Sequence, residues 1–234
     1  MLTLDDLGTA PSGQRPSLVD EAYRALKEAI RENVFPPGYQ GSEQEIATRL
    51  GMSRTPVHEA IIRLQEEGLV RVMTRRGVLV CPVSPEDMRE IYEVTIALET
   101  MAAELLAGQE DGRRRAGLAL LAQANEAMRQ ALARDDLAAW AAADDLFHRT
   151  LIERCGNGRI ARIAGTIMDQ AHRARMLTLR LRTRPDGAVA QHQAIIDAIA
   201  AGDAAAARRA AREHRVLARD ELLPLLAHLG IRHL

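Results

Sequence analysis

Aromatic side chains are scarce in this chain: one Trp, three Tyr and two Phe among 234 residues. Cysteine is scarcer still. Cys81 and Cys155 provide neither a disulfide framework nor the paired spacing of a zinc ribbon, and a reducing cytoplasm fits. No apolar run is long enough to span a bilayer; the best, IALETMAAELLAG, is broken by Glu99 and Glu104. The first sixteen residues hold acids, Gly and Pro without an apolar core, so they read as a flexible tail and not as a signal peptide. An excess of positive charge is also missing. Thirty-one basic residues face 32 acidic ones, which removes a global signal for nucleic acid but leaves room for a local patch. What is abundant is Ala, Leu and Arg, residues that lose little on entering a helix. With 47% hydrophobic residues, a chain of this length can bury the cores of two small domains.

Ser17 is placed to cap a helix over LVDEAYRALKEAIREN, where Ala22, Leu26 and Ile30 recur at helical spacing before Phe35-Pro36-Pro37-Gly38 ends it. In SEQEIATRLGMSRTPVHEAIIRLQEEG, Ser42 and Glu45 form a capping box, and Ile46, Ala47 and Leu50 make a short stripe that stops at Gly51. Ser53 is the expected cap of the next helix, with Pro56 tolerated in its first turn. Val57, Ala60, Ile61 and Leu64 form its buried face, leaving Arg54, Thr55 and His58 on the other side. LVRVM and VLVCP then flank TRRG, a two-stranded hairpin with Gly77 in the turn. Helix, short helix, glycine turn, helix and hairpin make a winged helix-turn-helix. That fold offers the N-terminal residues of its last helix to the major groove and its hairpin tip to phosphates or the minor groove.

These words (SEQEIATRLGMS, SRTPVHEAIIRLQEEGLV and the RRG of the wing) resemble the DNA-binding domain of the GntR family of bacterial transcription regulators, over residues 18–82. The resemblance implies that Gln44, Ser53, Arg54, Thr55 and His58, with Arg75, Arg76 and Gly77 of the wing, face operator DNA. Two positions depart from the FadR branch, where many relatives have Arg in place of Gln44 and of His58. Arg favours guanine, Gln favours adenine and His is a shorter donor, so the usual operator sequence does not carry over.

From Ser84, the expected cap of PEDMREIYEVTIALETMAAELLAG, the chain reads as helix almost throughout. Breaks at 108–112, 135–136, 156–158, 185–187 and 202–203 give about six helices, an antiparallel bundle. The domains expected are a tail at 1–16, a winged helix-turn-helix at 17–82 and a helical domain at 84–228. In ADDLFHRTL, Asp144 and His148 lie one turn apart and share a face with Leu151 and Ile152. His192 leads the stripe Ile195, Ile196 and Ile199, and His214 extends the stripe of Ala207, Ala210 and Ala211. Three imidazoles and a carboxylate therefore point inward from three helices. Each is either a satisfied core group or a ligand of a divalent ion, with Zn²⁺ best suited and Ni²⁺ or Mn²⁺ possible. Asp145 reads as a surface acid paired with Arg149, and Phe147 as packing directed elsewhere.

Residues 84–225 resemble the FCD ligand-binding domain of the FadR subfamily, through EIYEVTIALETMAAELLA, DDLFHRTLIERCGN and QHQAIIDAIAAGDAAAARRAAREH. In metal-binding members the ligands fall on Asp144, His148, His192 and His214. The resemblance implies a homodimeric, cytoplasmic bacterial regulator, by default a repressor. Its effector would be a small organic, sugar or amino acid whose carboxylate reaches the metal, and no membrane is involved. Many relatives have Arg where this chain has Thr95; the loss removes one carboxylate clamp and implies a different or less acidic effector. On the other side of the pocket Arg175 is the expected anion contact, although each of Arg173, Arg175 and Arg180 alone reads as part of a solvated basic face. Alternatives at the same residues are a metal-responsive regulator and a metal-dependent hydrolase.

Overall fold

A computed structural model describes residues 17–229, so the tail expected at 1–16 lies outside the described residues. Twelve elements follow one another among them: α1 (Leu18–Arg31), β1 (Gln40–Gly41), α2 (Glu43–Leu50), α3 (Arg54–Glu66), β2 (Val70–Met73), β3 (Gly77–Val80), α4 (Pro85–Ala107), α5 (Asp111–Ala133), α6 (Leu137–Arg154), α7 (Gly158–Thr178), α8 (Asp186–Ala200) and α9 (Ala204–His228). They divide into two compact units. One holds the described residues up to Glu28 together with Gln40–Leu79, and the other holds Ala29–Tyr39 together with the chain from Val80 onward.

In the first unit the apolar stripes close on one another. Ala22 and Leu26 of α1, Ile46 and Ala47 of α2, and Val57, Ala60, Ile61 and Leu64 of α3 are buried. Each of the larger side chains contributes roughly 1.5–3 kcal/mol by leaving water. Ser42 and Glu45 form the capping box, and Gly51 ends α2 in the left-handed conformation at φ 66°. Ser53 stands at the N-cap position of α3, but its side chain makes no capping hydrogen bond. The hairpin gains a strand too short to announce itself in the sequence: β1 pairs antiparallel with β3, Gln40 opposite Leu79 and Gly41 opposite Val78, giving the order β1-β3-β2. Gly77 begins β3 at φ 85°, and any Cβ there would collide with the Gly41 carbonyl oxygen. Only glycine fits that approach.

The second unit is the expected bundle, α4 to α9, around a core that includes Leu106, Leu121, Met128, Trp140, Phe147, Leu151, Ile195 and Ile199. Ser84 caps α4 by accepting from the Asp87 amide, with Pro85 in the first turn where its missing N–H costs nothing. The buried stripe of α4 runs Met88, Tyr92, Thr95, Glu99, Ala102, Ala103 and Leu106, so an acid sits among its core positions. α6 buries most of its circumference: Trp140, Ala141, Ala143, Asp144, Asp145, Phe147, His148, Leu151 and Ile152 are buried, and only the row of Ala138, Ala142, Leu146 and Glu153 with the terminal Arg154 faces outward. Among the described residues, no helix is long and apolar enough to cross a membrane.

Candidate metal centre

Helical phase brings the site together. Asp144 and His148 stand one turn apart on α6, His192 is in the second turn of α8, and His214 lies midway along α9. All four are buried, and one ligand atom from each lies within 4.8 Å of the others. The three Nε2 atoms form a near-equilateral triangle: His148 to His192 3.2 Å, His192 to His214 3.0 Å and His214 to His148 3.2 Å. Asp144 Oδ1 lies 3.7 Å from Nε2 of both His148 and His192.

Hydrogen bonding alone cannot satisfy that triangle. A neutral imidazole nitrogen either donates or accepts, so three mutually adjacent nitrogens always leave a like pair facing. Protonation is not the answer either. Burial, then the neighbouring His148, brings the His192 pKa down to about 3, and burial with His192 beside it depresses His214 well below the usual range. A cation among three inward lone pairs resolves the conflict. The point equidistant from the three nitrogens lies about 1.8 Å from each by the printed sides, close to the ~2.0–2.1 Å of a zinc–imidazole bond. The donor set and its spacing fit a divalent ion.

The groups behind the donors orient them. Burial alone would raise the Asp144 carboxyl, yet the Arg175 guanidinium, with His148 and His192, holds it well below the usual carboxylate range. Arg175 donates to Asp144 Oδ2, which leaves Oδ1 toward the histidines. His214 Nδ1 lies 2.8 Å from Gln191 Oε1. His148 Nδ1 lies 3.0 Å from Glu99 Oε2. Burial works against ionising Glu99, but Arg215 and His148 bring its pKa down to about 2. Phe147 does not point elsewhere: its ring stacks on His192 at 4.1 Å and meets His148 edge-on at 5.4 Å. It walls the site.

Other expectations need correction. Arg173 and Arg175 are not part of a solvated face; both are buried, Arg173 donating to the Cys81 carbonyl at 2.8 Å. Arg180 is exposed. Thr95 is buried and its hydroxyl donates to the Ile91 carbonyl of its own helix, one turn from Glu99. Asp145 pairs with Arg149 as expected, but it is buried, and it also meets Arg31 at 2.8 Å and His172 at 3.4 Å. Glu99 and Arg215 were missed by sequence reasoning; the available signal was an acid at a core position of α4 and a cation beside an inward histidine.

In the first unit, Gln44, Ser53, Arg54, Thr55, His58, Arg75 and Arg76 are exposed and Gly77 half-buried. Glu43 ties two of them: Arg54 Nε donates to Oε2 at 3.2 Å, and His58 Nδ1 lies 2.8 Å from Oε1.

Residues 18–80 match the gntR family of bacterial regulatory proteins, and residues 90–216 match the FCD domain. An HTH-type transcriptional regulator from the TAR-I ttuE-ttuC' intergenic region of Agrobacterium vitis is 58% identical over 134 residues, 57% of this chain and 78% of that one. A protein of Paenarthrobacter nicotinovorans, named as the probable D-xylose utilization operon transcriptional repressor, is 30% identical over 85% of this chain and 84% of its own. Among solved structures, McbR/YncC of E. coli superposes with a TM-score of 0.78 over 92% of this chain and all of that one, at 20% identity, a likeness of fold.

Proposed function

The chain belongs to the GntR family of bacterial transcription regulators and carries an FCD domain, and from that premise we propose a FadR-type repressor whose bundle binds a divalent metal and a small carboxylate effector. The observation that carries this reading is the convergence of three buried imidazole nitrogens with one carboxylate oxygen. Asp144, His148, His192 and His214 would hold the ion, with zinc first by donor type and nickel or manganese next. A bound ion would supply an electrophilic anchor for carboxylate oxygens.

Charge supports an anionic effector. Around the histidines, Arg175 and Arg215 are each matched by one buried acid, Asp144 and Glu99. A divalent ion adds two positive charges to a balanced, water-poor site, and an organic, sugar or amino acid brings the compensating carboxylate. Arg175, already bonded to Asp144, would share its guanidinium with such an anion.

Operator DNA is read by the exposed N-terminal turn of α3, through Arg54, Thr55 and His58, with Gln44 and Ser53 alongside and Arg75, Arg76 and Gly77 on the wing. Operators with two half-sites call for two recognition helices and hence a homodimer. Repression is the expected sense, as in the relative named a repressor. Effector occupancy in the bundle changes operator affinity by favouring one of two arrangements of the regulator.

The test is a thermal-shift screen of small carboxylates on chelator-treated and zinc-loaded protein, followed by gel shifts with the hits. A ligand that stabilises only the loaded form and releases DNA supports the reading. Equal stabilisation with and without metal, or no effect on DNA, refutes it.

A further inference from the structure

The acid on the buried stripe of α4 has no packing rationale. Glu99 is 1% exposed and Arg215 3% exposed, and they pair two-pronged: Arg215 Nε donates to Oε2 at 2.6 Å and Nη2 to Oε1. Removing two such charges from water is costly, and apolar side chains of similar volume commonly stabilise a core as well or better. Stability alone therefore does not account for the pair. What it touches does. Oε2 accepts from Arg215 and lies 3.0 Å from Nδ1 of His148, a close approach that is not an aligned hydrogen bond, and Arg215 directly follows His214 on α9. One carboxylate of α4 thus ties α9, at the residue after one donor, to the rear of a donor on α6.

The chemistry of imidazole makes that contact consequential. A neutral ring carries one N–H; when Nδ1 gives it to a carboxylate, the lone pair falls on Nε2, the atom facing the other histidines. We propose that Glu99, locked by Arg215, is the positioning residue of the metal centre, holding His148 in the ligating tautomer and turned toward the ion. The inference rests on the metal-centre reading above. Gln191 offers His214 a neutral version of the same support. Glu99 differs in its full charge, which strengthens its hold on the rear of the ring.

The test compares wild type, Glu99→Gln and the double variant Glu99→Leu/Arg215→Met, which removes both charges together and leaves neither orphaned. Zn²⁺ affinity is measured by competition with a chromogenic chelator, and the melting midpoint of the chelator-treated protein is recorded in parallel. The double variant should melt at or above the wild-type midpoint yet bind Zn²⁺ roughly 10–100-fold more weakly, the usual effect of losing such a partner. Glu99→Gln, whose amide oxygen still accepts from Nδ1–H, should lose less. A folded double variant with wild-type affinity overturns the proposal, and one that does not fold assigns the pair to the architecture of the bundle instead. Wild-type protein that fails to bind Zn²⁺ is a separate result: it removes the metal-centre reading itself.

Discussion

Lowering the pH should destabilise the metal-free bundle well before any of its site carboxylates titrate. His192 has no exposed surface, and burial brings its pKa from 6.5 to about 3. A histidine depressed in the folded state binds its proton only after unfolding. Stability is therefore full above pH 6.5 and falls as the pH drops from there toward 3. At pH 5 the unfolded ring is protonated and the folded one is not, a penalty of about 2 kcal/mol from His192 alone. His214, depressed in the same way, adds to it. Glu99, at about 2, and Asp144, lower than its usual 3.8, shed their contributions only below roughly pH 4.5, outside this window. For a chain of this size, about 2 kcal/mol corresponds to a fall of ~4–8 °C in melting midpoint. The assay is guanidinium and thermal unfolding of chelator-treated protein at pH 7.5 and 5.0, with His192→Gln alongside. The variant should lose about 2 kcal/mol of the difference. A wild-type stability flat across that interval, or a variant with the wild-type slope, would refute the burial argument. The same depression keeps His192 deprotonated and ready to ligate in mildly acidic solution.

Asp144→Ala should sharply reduce metal retained per chain, measured by atomic emission, whereas Asp145→Ala should retain it; equal content in the two sinks the choice of ligand. Asp145→Ala should nonetheless lower the melting midpoint, because Arg31 and Arg149 lose a buried partner. Arg54→Ala should abolish specific operator binding in a gel shift at moderate salt, and intact binding would contradict the assigned face of α3. Gly77→Ala forces a side chain into positive φ and into the Gly41 carbonyl, and should cost the winged unit about 2 kcal/mol or more, read as a lower denaturant midpoint. An unchanged midpoint would mean that β1 and β3 separate freely.

The sequence discloses what repeats at short range. Helical spacing turned His148, His192 and His214 inward, and the capping box of Ser42 and Glu45, the breaks of the bundle and the hairpin were equally local patterns. What it concealed depends on partners far along the chain. Arg175 lies in a stretch without nearby acids and so looks solvated, yet its partner Asp144 is 31 residues away. Arg173 donates to the carbonyl of Cys81, 92 residues away. β1 has only two residues, no period at all, and exists because β3 offers it a register. Asp145 lies next to the exposed row of α6 and reads as a surface acid, yet Arg31, Arg149 and His172 close over it. Glu99 was visible only as an interruption of an apolar run. Its position on the stripe with Met88, Tyr92 and Leu106 was the usable clue, since a core position occupied by an acid requires a partner.

The placement of charge in the bundle argues for a function beyond folding. A bundle selected for stability alone would fill these sites with Leu or Met. Instead, α6 carries two adjacent acids facing different partners: Asp144 meets Arg175 and the histidines, and Asp145 meets Arg149, His172 and Arg31. On α7, Asp169 lies 3.1 Å from Arg31 Nε, and His172 Nε2 lies 3.0 Å from Glu32. The two clusters share the backbone of α6 and α7, one peptide bond apart at Asp144 and Asp145. Coupling between sites travels through contiguous packed or ion-paired groups that can rearrange. A change that draws Arg175 from Asp144 would therefore reach Asp145 and its partners through the same turn of α6, inside the helical unit.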